Sequence, residues 1–302
     1  VLLQSNQIAP PVSARLGGRE ANQKVVSPSF PIGYLICGRS KFMFLFVEKQ
    51  RTILPPPPIG RPGYIFKHLQ TPYKHNPKLL FRLEVMELLS HLLALDPAAP
   101  RLTVYNESTG ARLDFSAITL DNWASKVGNM LLEELDLEEG SLITIDLPVS
   151  WQATMIMLGA LATSVEVSFD DPEADAIFTS LDRFSHYKGH SDVLIVSEDP
   201  FGRGVVEGGG ELPNGAIDFG PTVRFYGDQF FQPTRTLPEI IQHSDVPVGA
   251  RVLATGWSDI ESFNHQVLEP LAVGGSAVIV TGLVDIERLD QIATNEKTTH
   301  RI

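Results

Sequence analysis

The stretch from Ser141 to Ala162, SLITIDLPVSWQATMIMLGALA, constrains the fold more than any other part of the chain. Leu142, Ile143, Ile145 and Leu147 make a short apolar, β-branched run, the pattern of a strand covered on both faces. Pro148 ends the run, and Ser150 is placed to cap a helix, its hydroxyl accepting a bond from an otherwise orphan first-turn N–H. Trp151, Met155, Leu158 and Ala162 follow at helical spacing, while Gly159 and Ala160 are small enough for another backbone to come close. Strand, tight turn and packed helix together make half a βαβ unit. That settles architecture and leaves chemistry open.

The surrounding sequence repeats the theme. A short helix is expected over Glu87–Leu95 (Leu88, Leu89, Leu92, Leu93), ending before Asp96-Pro97. Leu102–Tyr105 and Arg112–Phe115 flank the turn Asn106–Gly110 and read as a hairpin. Thr119 is expected to cap a helix carrying Trp123, Val127, Met130 and Leu131, ended near Leu137–Gly140. After the focal unit come strand-like runs at Val165–Phe169, Ala176–Thr179 and Val193–Val196. Residues 198–234 are rich in Gly and Pro and read as loop, with a strand expected at Thr222–Tyr226. Thr236 and Glu239 form a capping box over Leu237–Gln242. Arg251–Ala254 is a strand. Ser258 and Glu261 form a second box before a helix with Ile260, Phe263, Val267 and Leu271 inward. Gly274 suits a helix C-terminus, Ser276–Val280 is a strand, and Asp285–Glu296 closes as an amphipathic helix. The alternation predicts an α/β fold: a mixed, largely parallel sheet with flanking helices.

Charge divides the chain. Residues 1–85 hold 12 Lys/Arg against three acids, and residues 86–302 hold the other 12 against 33, so +9 and −21 make the net −12. The acidic part would repel a nucleic-acid backbone, so no nucleic-acid partner is expected. Residues 1–85 also hold 11 of the 22 prolines, Pro55–Pro58 among them, without sustained periodicity. Two readings stand for this segment: a basic arm that docks a partner, or a non-native extension from a start assigned upstream of Met86, with the compact domain over 86–302. The second is preferred because the chain opens on Val and its composition turns globular at Met86. No uninterrupted apolar run of about 18 residues suggests a membrane span. A single cysteine, Cys37, suits a reducing compartment, and a cytoplasmic location is expected.

Residues 102–197 resemble the N-terminal subdomain of adenylate-forming enzymes, the AMP-binding and acyl-CoA synthetase superfamily. That family opens with a hairpin, then a helix of the type T-x-x-x-W/L-x-x-x-V/A, then G-D-x-V-A-x-x-L-P-N-S and a helix of small and apolar residues. The counterparts are Thr119–Leu135, Glu139-Gly140-Ser141, Leu142–Leu147, Pro148 and Ser150. Residues 249–280 resemble a second family stretch, GDRVLxxxPLFHxxGLLxxLLxPLxxGGxVVL, on which Leu268, Pro270, Leu271, Gly274 and Gly275 fall. The resemblance implies a compact, truncated relative restricted to the N-terminal portion. It implies a ligand at strand C-termini near Thr255, Gly256, Trp257 and Ser258, with ATP, AMP or CoA as candidate cofactors and a small carboxylate or nucleotide as candidate ligand.

The departures from the family pattern are informative. A Ser/Thr/Gly-rich loop ending in Pro-Lys-Gly cradles the ATP phosphates in the family, because a triphosphate needs converging positive donors. The corresponding interval, Tyr226–Asp245, holds one glycine (Gly227), no lysine, and only Thr234, Arg235 and Thr236 as phosphate-friendly groups. The family's Phe-His pair falls on Ser258 and Asp259. Adenylation by the usual mechanism is therefore not expected. The alternative is a non-catalytic scaffold on the same fold, meeting a protein partner or a second copy of itself.

Other constellations are weaker. Gly202, Gly204 and Gly208 approach G-x-G-x-x-G, but Glu207 replaces the third glycine, so a surface loop is expected. His186 and His190, with Asp182 or Asp192, have the spacing of metal ligands on one helix face, yet Lys188-Gly189 breaks the helix and no metal is expected. Asp170, Asp171, Glu173 and Asp175 read as a solvated turn. No G-x-S-x-G elbow or local Cys/His pairing is present. His243 and His265 are expected as partly exposed helix residues. Trp151 and Trp257 begin helices after strands, where two readings stand, the lining of an apolar or adenine pocket and aromatic packing at a helix start, the second preferred.

Overall fold

The computed structural model describes residues 88–302; the expectations for the basic leader, for Cys37 and for Met86 and Glu87 lie outside them. Two five-stranded sheets are fused by one shared core. The first sheet opens with the predicted hairpin, β1 (Pro100–Asn106) and β2 (Ala111–Ser116), which follows the short helix α1 (Ser90–Leu95). It is completed only by the end of the chain. There β8 (Arg251–Ala254), β9 (Ser276–Thr281) and β10 (His300–Arg301) give the order β10-β8-β9-β1-β2. β9 lies parallel to β1, with Leu102 opposite Ala277, so strands about 170 residues apart in sequence are neighbours in space.

The second sheet is the contiguous middle of the described chain: β3 (Leu142–Asp146), β4 (Glu166–Ser168), β5 (Ala176–Thr179), β6 (Val193–Ile195) and β7 (Ile217–Asp218), parallel throughout in the order β4-β3-β5-β6-β7. Among the described strands only the β1–β2 hairpin is antiparallel, so the mixed, largely parallel α/β architecture is the one expected.

Side-chain alternation explains the layering. Leu102 and Val104 of β1, with Ala277 and Ile279 of β9, face the same core as Ile143, Ile145, Ala176 and Phe178 of the second sheet. Between them lie α2 (Ala117–Glu133) and α3 (Trp151–Thr163). Eleven of the thirteen residues of α3 are buried, so it is apolar all round instead of amphipathic. The outer face of the first sheet (Tyr105, Leu253, Val278, Val280) is covered by α8 (Ile286–Glu296) through Ile292. Ile177, Val193 and Ile195 pack on Val205 outside the second.

The focal unit forms as its sequence dictates: Ser150 Oγ accepts from Ala153 N–H at 3.3 Å and starts α3. Four local expectations are corrected. α2 is capped by Ser116, whose Oγ accepts from Thr119 N–H, and it ends at Glu133, short of Leu137. Thr222–Tyr226 is not a strand; α4 (Phe219–Phe225) forms there and buries Phe219 and Val223. α5 (Leu237–Ile240) begins with the predicted box, Glu239 accepting from Thr236 N–H at 2.8 Å, but it ends before His243, which is an exposed loop residue. The cap expected at Ser258 belongs to Asp259, whose carboxylate accepts from Ser262 N–H at 2.7 Å and starts α6 (Ile260–Phe263). A π-helical turn (Asn264–Leu268) then leads into α7 (Glu269–Ala272), and Gly274, at φ +77°, ends the run as expected. Among the described residues, no helix is long and apolar enough to cross a membrane.

Candidate functional site

The carboxyl ends of β1, β3, β6, β8 and β9 converge on one cleft of about 610 Å³ where the two sheets meet. Ligands of open α/β sheets gather at this end of the strands, because connections diverge there and leave a crevice.

Each wall has a local cause. Asn106, at the end of β1, accepts from Ser108 N–H (3.0 Å) and Thr109 N–H (3.2 Å), which curls the hairpin turn over the cleft. Gly282 follows β9 at φ +88°, and a Cβ there would stand 2.7 Å from Ser108 Oγ, so only glycine lets the two turns touch. Arg288 of α8 holds the turn from behind through Glu107, at 2.9 and 3.1 Å. The floor is the first turn of α3. Trp151 is 4% exposed, and its ring packs on Phe115 at 5.2 Å and Trp123 at 5.0 Å. Its indole N–H is buried without an acceptor. Gln152, 2% exposed, donates its amide to the carbonyls of Ser197 and Asp199, both at 3.0 Å, and so ties the loop after β6 to α3.

The electrostatic character is simple. Hydroxyls and amides (Asn106, Ser108, Thr109, Ser150, Gln152, Thr255, Thr281) alternate with apolar groups (Val104, Leu113, Val149, Trp151), and Glu198 is the one charged side chain on the wall among the described residues. Among the described residues no lysine, arginine or histidine lines it. Beyond Glu198, Asp199 is held below the usual carboxylate range by the Arg203 guanidinium, and Glu207 likewise by Gly204 N–H and Arg224.

Of the residues expected at the site, Thr255 lines the cleft. Gly256, at φ +100°, lies under Val149, where a Cβ would approach Val149 Cγ2 to 2.9 Å, so it joins the two sheets behind the wall. Trp257 packs edge-on to Phe263 at 4.6 Å. Ser258 donates its hydroxyl to Asp259 at 3.0 Å. Neither of the last two residues is on the cleft wall. Gly275 has Ala250 O where its Cβ would be, so the Gly274-Gly275 turn is a packing element. Ser150, Gln152 and Glu198 reach the cleft although their sequence context gave no sign of it; Pro148 closing a parallel strand was the available signal.

The interval that would hold a phosphate loop is occupied by packing. Phe230, 1% exposed, sits on Gly128 of α2, while Lys126 and Asn129 donate to the carbonyls of Tyr226, Gly227 and Gln229. Arg235 donates to Glu239 O at 2.6 Å and lies near the C-terminal half of α3, whereas the cleft is at that helix's N-terminus. In the Gly202–Gly208 loop the N–H of Gly204 is taken by Glu207, at 2.7 Å, that of Gly202 by Asp199 O and that of Gly208 by Gly204 O, so none of the three glycine N–H groups is free for a phosphate. His190 bonds Ala174 O at 2.7 Å and accepts from Asp192 N–H. Among the described residues no group of three His, Cys, Asp or Glu is placed to hold a metal. Asp171 and Asp175 accept from the backbone of Glu173 and Leu142, as turn residues do.

Comparison with known proteins places this geometry. No family model matches the chain. A "TIGR03089 family protein" of Mycobacterium tuberculosis is 31% identical over 235 residues, which cover 70% of this chain and 95% of that relative. An acyl-CoA synthetase of Brucella canis superposes with a TM-score of 0.56 at 14% identity, over 72% of this chain and 47% of its own. An anthranilate CoA ligase solved in complex with anthranoyl-AMP gives 0.53 at 11% identity, over 72% and 48%. The chain thus spans about half the length of these solved enzymes. At such identities the likeness establishes the fold alone, and that fold is the one expected from the sequence: that of adenylate-forming enzymes.

Proposed function

The chain belongs to the TIGR03089 family, and from that premise we propose that it uses an adenylate-forming scaffold to bind a small organic ligand without adenylating it. One observation carries the reading: the cleft at the strand ends is roomy and part apolar, yet no cationic side chain lines it among the described residues. A triphosphate brings about four negative charges into a site, and transfer of its phosphoryl groups depends on cations that neutralise them. A small acyl or aryl group makes no such demand and fits walls of Val104, Leu113 and Trp151 with hydroxyls between. In this reading Thr255 touches the ligand, Gly256 keeps the sheets close enough to form the wall, and Trp257 and Ser258 support from behind. A cytoplasmic location, inferred from the single cysteine, belongs to the same reading.

Calorimetric titration of the full chain with ATP–Mg²⁺, AMP and CoA, alongside a panel of small aromatic and aliphatic compounds, tests it. Saturable binding of panel members, weakened at least tenfold by the cleft-filling Thr255→Phe, is expected, with no heat from ATP–Mg²⁺. Micromolar ATP–Mg²⁺ binding with pyrophosphate release on adding a carboxylic acid would show instead an adenylating enzyme.

The scaffold reading has an observation of its own. Phe201 and Phe225 are 77% and 87% exposed on segments joined by the Arg224 to Gly202 O hydrogen bond. Exposed aromatics of this size are common at protein contacts. Light scattering across a concentration series distinguishes a self-associating scaffold from a monomer.

A further inference from the structure

We propose that the cleft selects a cationic ligand, an amine on an apolar body, with the Glu198 carboxylate as its counter-charge. The inference rests on the cleft being a binding site and adds the charge class of what enters it.

Glu198 is exposed on the cleft wall and has neither a hydrogen bond nor an ion pair among the described residues. Its neighbours differ. Asp199 is engaged by Arg203 at 2.8 Å, and Glu207 by Arg224. The backbone on both sides of Glu198 is fixed, because the buried Gln152 amide grips Ser197 O and Asp199 O. A carboxylate carried on a fixed stretch of backbone and left unpaired, while adjacent acids are neutralised, is a negative charge available to a partner from outside. Around it the cleft supplies what an ammonium group needs. An ammonium has three donors and no acceptor, and the hydroxyl oxygens of Ser108, Thr109, Thr255 and Thr281 are all able to accept.

Opposing effects decide the sign. The N-terminus of α3 also opens on the cleft and favours anions, but a helix end is equivalent to only about half a charge. Glu198 carries a full one, and residues 86–302 add a field of the same sign, at net −21. A carboxylate ligand meets net repulsion; an amine meets attraction.

Ligand-observed NMR on the full chain with benzylamine, benzyl alcohol and benzoate, at low ionic strength, tests the charge class on one skeleton. The expected order is amine, alcohol, acid, with amine and acid separated by about tenfold or more. Glu198→Gln should shrink the separation of amine and acid at least severalfold, the acidic field of the remaining residues keeping only a small preference, and should leave the thermal midpoint unchanged. Glu211→Gln, an exposed acid outside the cleft, should preserve it. Benzoate binding as tightly as benzylamine, or an amine preference of undiminished size in Glu198→Gln, overturns the charge assignment and leaves ligand binding standing. Failure of all three probes to bind overturns both, because the cleft is then no site for small aromatic ligands.

Discussion

Two buried carboxylates show how differently one residue type behaves in this fold. Glu296 lies at the end of α8 with its side chain 7% exposed, and burial alone would raise its pKa. Tyr105 and Arg251, both at 2.5 Å, and Arg112 at 2.8 Å outweigh that and hold it below the usual glutamate range. Asp121 on α2 is 9% exposed, and its Oδ1 has no partner. Burial pushes its pKa up to about 6. An acid whose folded pKa lies above its unfolded value binds its proton more tightly when folded, so its penalty is absent well below the unfolded value of 3.8, grows as pH rises between 3.8 and about 6, and is complete at about pH 7. Asp121→Asn is therefore expected to stabilise the protein by roughly 3 kcal/mol at pH 7.5 and by only about 0.5 kcal/mol near pH 4. Urea denaturation of the two proteins at both pH values measures this. An equal effect at the two would show that Asp121 is charged or paired in the folded state.

At the scale of elements, the α2–α3 crossing does most to set the geometry of the core. A Cβ on Gly159 would fall 2.3 Å from Val127 Cγ1 and 3.1 Å from the Gly128 backbone nitrogen, so the helices touch at a point that holds no side chain. Propensity alone predicts that Gly159→Ala gains up to about 1 kcal/mol. Overpacking predicts a loss of about 1–3 kcal/mol, and the loss should win because the obstacle includes backbone. Val127→Ala in the same chain should recover part of it, a coupling that a double-mutant cycle on unfolding free energies would detect. Additive effects of the two changes would mean that the helices separate freely. The close approach was legible from Gly159-Ala160 within an apolar helix, as were β3, the Ser150 cap and the hairpin, all products of local pattern. α4 was not. Thr222, Val223, Phe225 and Tyr226 read as strand, but Asp218 accepts from the N–H groups of Val205 and Val206, and Phe219 packs on Phe178 at 5.9 Å, so tertiary contacts decide the local form. The candidate site was legible at Thr255, and at Trp151 as the less favoured of two readings. Its other walls come from strand ends that acquire meaning when β1 pairs with β9, and no window of sequence contains that pairing.

For the described part of the molecule, topology makes a claim about cooperativity. The second sheet, 142–218, is contiguous, whereas the first is assembled from 100–116 and 251–301 on either side of it. Neither sheet keeps a core to itself: Leu102, Val104, Ala277 and Ile279 share one cluster with Ile143, Ile145 and Phe178, through α2 and α3. Exposing one sheet would expose the inner face of the other, so the two should unfold together. Far-UV dichroism and tryptophan fluorescence are apt probes. The first reports both sheets, and the second reports Trp123 and Trp151 where they meet. Their urea transitions should coincide. Ile279→Ala in the first sheet and Ile143→Ala in the second, both fully buried, should each cost about 2–5 kcal/mol and move the whole transition without splitting it. If Ile143→Ala produced an early phase seen by one probe alone, the middle sheet would be an independent folding unit. The cleft would then be a joint between two bodies, and its walls would shift whenever either sheet loosened.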